Sequence, residues 1–198
     1  MQRRVLRSVE STLKEDGLFE GRIAEDFLAI AGSTIAYVAR RLDVPRPWMR
    51  DDWQGADRKD TVEEMHLADD YEDWLSANCS RGTLNTEIRR ISAGRADVLA
   101  AFGTWKVVVE LKRELDDAGR DSLEKHYADQ AASYQATDYP FGIVVVLDRS
   151  QVQGHATPHL QDLVWVSRAK VEGRDRWLMW CVVPARRVAP SALTAARR

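Results

Sequence analysis

Apolar residues return every third or fourth position over the first part of the chain. Val5, Leu6, Val9 and Leu13 form one such series; Ile23, Phe27, Ile30, Ala31, Ile35 and Val38 form a second after a break at Gly17. The spacing predicts two helices within residues 1–42. Residues 43–60 lose the pattern: Pro45, Pro47, Gly55 and the aspartates Asp51, Asp52, Asp57 and Asp60 read as a linker. A boundary there divides the chain into an N-terminal helical segment with linker, 1–60, and a main domain, 61–198. Thr61 followed by Glu64 is a capping-box pattern, and Met65, Ala68, Tyr71 (or Glu72) and Leu75 give a third helix over 61–77 one apolar edge.

The period then shortens. Residues 83–91, 95–102 and 105–111 read as three short strands with turn signals between them. A helix follows over 119–136, with Ala128, Ala131, Ala132 and Gln135 as good formers. The run Ile143-Val144-Val145-Val146-Leu147 marks 141–147 as a central strand buried on both faces. Two more strands, 163–169 and 177–183, are expected around a turn at Gly173-Arg174-Asp175. This order predicts an α/β or α+β protein with a mixed central sheet flanked by helices.

Composition narrows the reading. With 29 basic and 31 acidic residues in 198, the net charge is −2, so a polyanion must be met by a local patch rather than by the whole surface. A chain this long buries roughly 70% of its unfolded surface without staples. Two cysteines, Cys79 and Cys181, are too few for a disulfide framework or a four-cysteine zinc site and read as small buried hydrophobes. The longest uncharged apolar-rich stretch, 27–39, is too short to span a bilayer, and the charged residues 1–16 are no signal peptide. The expected location is the cytoplasm, with no membrane partner.

The informative stretch is Arg95-Ala96-Asp97 and, after a gap, Trp105-Lys106-Val107-Val108-Val109-Glu110-Leu111-Lys112. If Gly103-Thr104 is a two-residue hairpin turn, Phe102 faces Trp105, and counting back pairs Asp97 with Glu110 and Arg95 with Lys112. The Asp97 and Glu110 side chains then lie on one face, their Cβ atoms roughly 4.5–5.5 Å apart, and Lys112 shares that face. Two carboxylates side by side among valines are costly unless one is protonated or a cation sits between them. A hard divalent ion takes such oxygens, and a neighbouring lysine can hold or deprotonate a water or neutralise phosphate charge. The set points to metal-assisted phosphodiester hydrolysis. The plain alternative is an exposed strand end with ordinary salt bridges, and a bulge in place of the tight turn breaks the register.

These residues resemble the PD-(D/E)XK nuclease superfamily, the restriction-endonuclease-like fold: an aspartate at the start of one strand, then an apolar strand ending in Glu-x-Lys, thirteen residues apart from acid to acid. Ala96 stands where the motif's name has proline. The resemblance covers roughly residues 61–150 and implies an αβββαβ core with the N-terminal helices as an extension. It implies a nuclease, most simply acting on DNA, that uses Mg2+ (or Mn2+). By the same resemblance Asp97, Glu110, the Leu111 carbonyl and an acid of the 61–77 helix hold the metal. Glu72 is the first choice for that acid, with Asp73, Asp69 and Glu64 behind it and Glu87 as a further possibility. Lys112 activates water or stabilises charge. Gln130 and Tyr134 match a Gln-x-x-x-Tyr pattern that RecB-type members carry on the helix after the lysine. Gln130 would then orient the lysine or phosphate, and Tyr134 would line the nucleic-acid path.

Arg89, Arg90, Arg95, Lys112 and Arg113 supply the local basic patch, with Arg95 and Arg113 as substrate contacts. His155, His159 and Asp162 have metal-site spacing, but Pro158 interrupts the helix it needs. The seven tryptophans read mainly as packing, with base stacking as the functional alternative. No Walker loop, GxGxxG or GxSxG is present. The reading from another class is a catalytically inactive module of the same fold that binds nucleic acid or assembles with another subunit through residues 1–60; a homodimer is a further possibility.

Overall fold

A computed structural model describes residues 1–49, 62–79, 85–91, 95–102, 105–133, 135, 140–150 and 158–185, with 62–63, 85–91 and 95–97 described by backbone alone. Among the described residues four α-helices, α1 (Gln2–Leu13), α2 (Gly21–Asp43), α3 (Val62–Asn78) and α4 (Arg120–Ser133), accompany six strands: β1 (Asn85–Ile91), β2 (Arg95–Phe102), β3 (Trp105–Glu114), β4 (Phe141–Asp148), β5 (Val164–Val171) and β6 (Arg174–Pro184). The protein is α+β, and its strands form one mixed sheet in the order β1-β2-β3-β4-β6-β5. β1 to β3 are an antiparallel meander. β4 joins β3 in parallel, which a hairpin cannot do, and α4 is the crossover between them. β6 runs parallel to β4, and β5 returns antiparallel at the edge.

Every residue of β4 is buried, as its unbroken apolar run requires. One face of the sheet is covered by α2 and α3. Phe27 of α2 packs 6.0 Å from Phe141 of β4, and Phe19, just before α2, meets both rings edge-on. The other face is covered by α4: Glu124 accepts the indole N–H of Trp165, which stacks on Trp180 at 5.8 Å. α1 lies along the edge strand β5, with Val5, Val9 and Leu13 buried in the same core as the sheet. The apolar stripe of the first two helices is thus covered by this chain's own strands.

Several details differ from the expectations. Met65 is 57% exposed; Leu67 joins Ala68, Tyr71 and Leu75 inside instead. β3 continues three residues beyond Leu111. The β5–β6 turn is made by Glu172 and Gly173, both with positive φ (50° and 78°), so Arg174 already begins β6. That backbone suits a tight hairpin, and glycine at its second position adopts it without strain. α2 and α3 are clamped by charge as well as by packing. Buried Asp70 accepts from the Tyr37 hydroxyl (2.9 Å), from Nε and Nη2 of Arg41 (2.7 and 2.8 Å) and from Arg46 (2.6 Å). The linker 50–60, Thr61 and its cap, Tyr134, His155, Trp53, the 103–104 turn itself and the C-terminal arginines lie outside the described residues.

Candidate active site

β3 is apolar on one face and charged on the other. Val107, Val109 and Leu111 turn toward α2 and α3; Glu110, Lys112 and Glu114, each two residues on, turn toward α4. All three charged side chains are buried: Glu110 is 1%, Lys112 7% and Glu114 5% exposed. Such groups are rarely buried without partners. The Lys112 ammonium donates to a Glu110 carboxylate oxygen. Its nitrogen also lies 6.0 Å from the centre of the Tyr127 ring, on α4.

Glu114 is held differently. One carboxylate oxygen accepts the backbone N–H groups of Leu115 (2.9 Å), Asp116 (2.8 Å) and Asp117 (3.4 Å). The other accepts the Tyr127 hydroxyl at 2.9 Å. This side chain therefore shapes the connection into α4 and fixes the ring that faces Lys112. Partial burial, then the hydrogen bond to Glu114 and its charge, push the Tyr127 phenol up to about 12; Glu64 and Asp116 add smaller charge effects.

The register across the hairpin is the one the two-residue turn requires. Phe102 pairs with Trp105 and Asp97 with Glu110. The other neighbour of Glu110, on β4, is Val144, which pairs in turn with Trp180 of β6. The β2–β3 ladder ends at the Asp97–Glu110 step. Arg95 pairs instead with Ile91 of β1 and Lys112 with Val146 of β4, so the expected Arg95–Lys112 pair is not in the ladder. Arg113 is half-buried and, by the two-residue alternation, stands on the face opposite Lys112, away from the charged row. Leu111 is fully buried on that opposite face.

Gln130 is half-buried on α4, three residues after Tyr127 and so beside it on the helix surface. Of the acids on α3, Asp69 and Asp73 are exposed and Glu72 and Glu64 half-buried. Among the acids of α3, Glu64 adds a small upward push on the Tyr127 phenol. The side chains of Asp97, Arg95, Glu87, Arg89 and Arg90 lie outside the described part. Glu114 and Tyr127 are the residues that the sequence reading missed. Their signal was the alternation Glu110-x-Lys112-x-Glu114, visible once β3 is allowed to run on.

Trp74, Trp177, Trp180 and Cys181 resolve as packing. Trp74, Trp177 and Trp180 donate their indole N–H to the Ser33 carbonyl, Asp16 and Ser167. Cys181 is fully buried, which drives its thiol pKa far up. His159 and Asp162 are both exposed. No group of three or more metal-ligating side chains is found among the described residues, and none of their helices is long and apolar enough to cross a membrane. No family model matches the chain, and no curated protein or solved structure matches it either.

Proposed function

We propose that the chain is a metal-dependent nuclease of the PD-(D/E)XK type, acting on DNA, with α3, β1, β2, β3, α4 and β4 as its αβββαβ core. The observation that carries the reading is the burial of Glu110 with Lys112 on one face of β3, at the ladder step that also holds Asp97. A solvated strand end does not need this arrangement, and a site for phosphate chemistry does.

The donor set suits a hard cation. Carboxylates at paired positions of two adjacent strands offer oxygens only, as Mg2+ prefers, and the Leu111 carbonyl or a carboxylate of α3 would add another. When bound, the ion would neutralise charge on the phosphate and lower the pKa of a water. The chain's own groups do the rest. Asp97 and Glu110 would hold the ion, and Lys112 would orient the attacking water or meet the charge that builds on the phosphoryl oxygens. In the hydrolysis a water oxygen bonds to phosphorus, one P–O ester bond breaks, and the leaving oxygen takes up a proton. Glu114, through the Tyr127 hydroxyl, ties α4 to this row.

The test is cleavage of linear, nicked, branched and single-stranded DNA with Mg2+, against EDTA and Lys112→Ala controls. Loss of cutting in both controls supports the assignment; equal activity in the alanine variant refutes it. Calorimetry with Mg2+ or Mn2+ separates a working site from an inactive module: a binding isotherm that disappears in Asp97→Asn belongs to the former.

A further inference from the structure

A half-open cavity of about 240 Å3 lies at the far edge of the sheet, bordered by α1, the 3-10 turn Leu160–Asp162, the edge strand β5 and the start of α4, with Ser8, Gln161 and Arg120 exposed at its rim. β5 is three places from β3 in the sheet order, about 14 Å at the usual strand spacing, so this cavity is separate from the Glu110 row. Its walls are Val9, Val164, Trp165 and Val166, and its polar groups come from Ser8, Thr12, Gln161 and Arg120. The only charge among these lining residues is Arg120.

Arg120 is fixed there in an unusual way. Its guanidinium lies 4.9 Å from the Trp165 ring centre, while the indole N–H below is taken by Glu124, one turn along α4. The ring attracts the cation without neutralising it, so its N–H fork stays available to an acceptor. The Thr12 hydroxyl gives its proton to the Ser8 carbonyl (3.1 Å), which leaves the Ser8 hydroxyl, the Gln161 amide and the Arg120 fork as donors. They come from three separate elements and converge on one space. No carboxylate is among its described lining residues. A carboxylate ligand offers two oxygens to such a set; a phosphate offers three or four and a larger charge. The volume exceeds the roughly 30 Å3 share of one water several times over, enough for a phosphate and part of what carries it.

We propose that this cavity is a phosphate-binding site in which Arg120, Gln161 and Ser8 hold the oxygens. The assignment does not depend on the nuclease reading, because it concerns binding at another place. The phosphate has two possible sources, a small phosphorylated molecule or the backbone of a nucleic acid.

The experiment titrates the full chain, in EDTA so that no divalent ion takes part, with inorganic phosphate, with acetate, and with a fluorescent single-stranded oligonucleotide. Saturable phosphate binding that weakens at least tenfold in Arg120→Gln and tightens several-fold in Gln161→Lys supports the site. If oligonucleotide binding also weakens in Arg120→Gln, and its salt slope falls by about one, the source is a phosphodiester backbone. If the oligonucleotide is indifferent to Arg120 while inorganic phosphate is not, the source is a small molecule. Absence of saturable phosphate binding, acetate binding as tight as phosphate, or phosphate affinity unchanged in both variants overturns the proposal. Gln161 is exposed, so its variant decides the matter even if Arg120→Gln unfolds.

Discussion

Lys112 and Glu110 neutralise one another from the same face of β3, two residues apart and both out of water. Removing one partner takes the counter-charge from the other while it stays out of water, at a cost of about 3–5 kcal/mol, whereas removing both leaves two neutral groups of similar shape. Lys112→Met and Glu110→Gln are each expected to lower the urea midpoint sharply, and the double variant to lose much less than the sum. Urea unfolding of the four proteins in the cycle measures this. Additive losses would show that the contact is not an energetic pair. The double variant is also expected to retain its fold while losing any hydrolysis, which separates the stability of the pair from its chemistry.

Gly142 sits beside Val108 in the parallel ladder, under the side chain of Gln135. A Cβ at this position would stand 2.6 Å from the Gln135 amide nitrogen, which donates to the Trp177 carbonyl at 3.2 Å. Gly142→Ala is therefore expected to destabilise by about 1–3 kcal/mol, as overpacking does, by driving Gln135 off that carbonyl. Thermal unfolding checks the loss. Gln135→Ala on the same background should relieve part of it, because the colliding atom is then gone.

The two predictions rest on elements that differ in how far the sequence discloses them. The Asp97–Glu110 register follows from local information, a two-residue turn and the period of a strand, and the structure has that pairing. The apolar run of β4 likewise states its own burial. The end of β3 was not legible, because Lys112-Arg113-Glu114 looks like solvated chain until Tyr127 and the following loop amides are brought to Glu114. The clamp at Asp70 was hidden for the same reason. Tyr37 and Arg41 are one turn apart on α2, but their partner comes from α3, and nothing in either helix alone names it. Arg113 is next to Lys112 in sequence, yet the alternation of a strand puts it on the opposite face of β3. Polar partners joined by tertiary contact are what a single sequence conceals.

The Asp70 clamp gives a third prediction. Arg41 is 5% and Asp70 6% exposed, and the carboxylate accepts from three side chains. Asp70→Asn keeps the shape and removes the charge, leaving the Arg41 guanidinium buried without its counter-ion. The expected loss is about 3–5 kcal/mol. Denaturant unfolding measures it. A loss under about 1 kcal/mol, the range of an exposed pair, would mean that water reaches the clamp.

Tyr127 supplies a pH signature that reports on the charged row without altering it. Its phenol is raised from the ordinary value near 10 to about 12, first by partial burial and then by the Glu114 carboxylate it donates to. In the folded protein it stays protonated at a pH where the unfolded chain has begun to lose that proton. Between about pH 10 and 12 the native state therefore binds more protons than the unfolded state, and stability falls as pH rises through that window. The contribution is fully present below pH 10. Tyr37 and Tyr71 are also raised by burial and add to the same alkaline loss, so the informative quantity is a difference between variants. Tyr127→Phe removes the titrating group and should flatten the part of the stability-against-pH curve that lies between pH 10 and 12. Glu114→Gln keeps a hydrogen-bond acceptor but discharges it, and should draw the Tyr127 transition back toward 10. Phenolate absorbance of the folded protein follows that transition directly. A Tyr127 titration near 10 in the unaltered protein, or one that Glu114→Gln leaves in place, would mean that Glu114 does not hold the ring, and the packing of α4 over Lys112 would then need another cause.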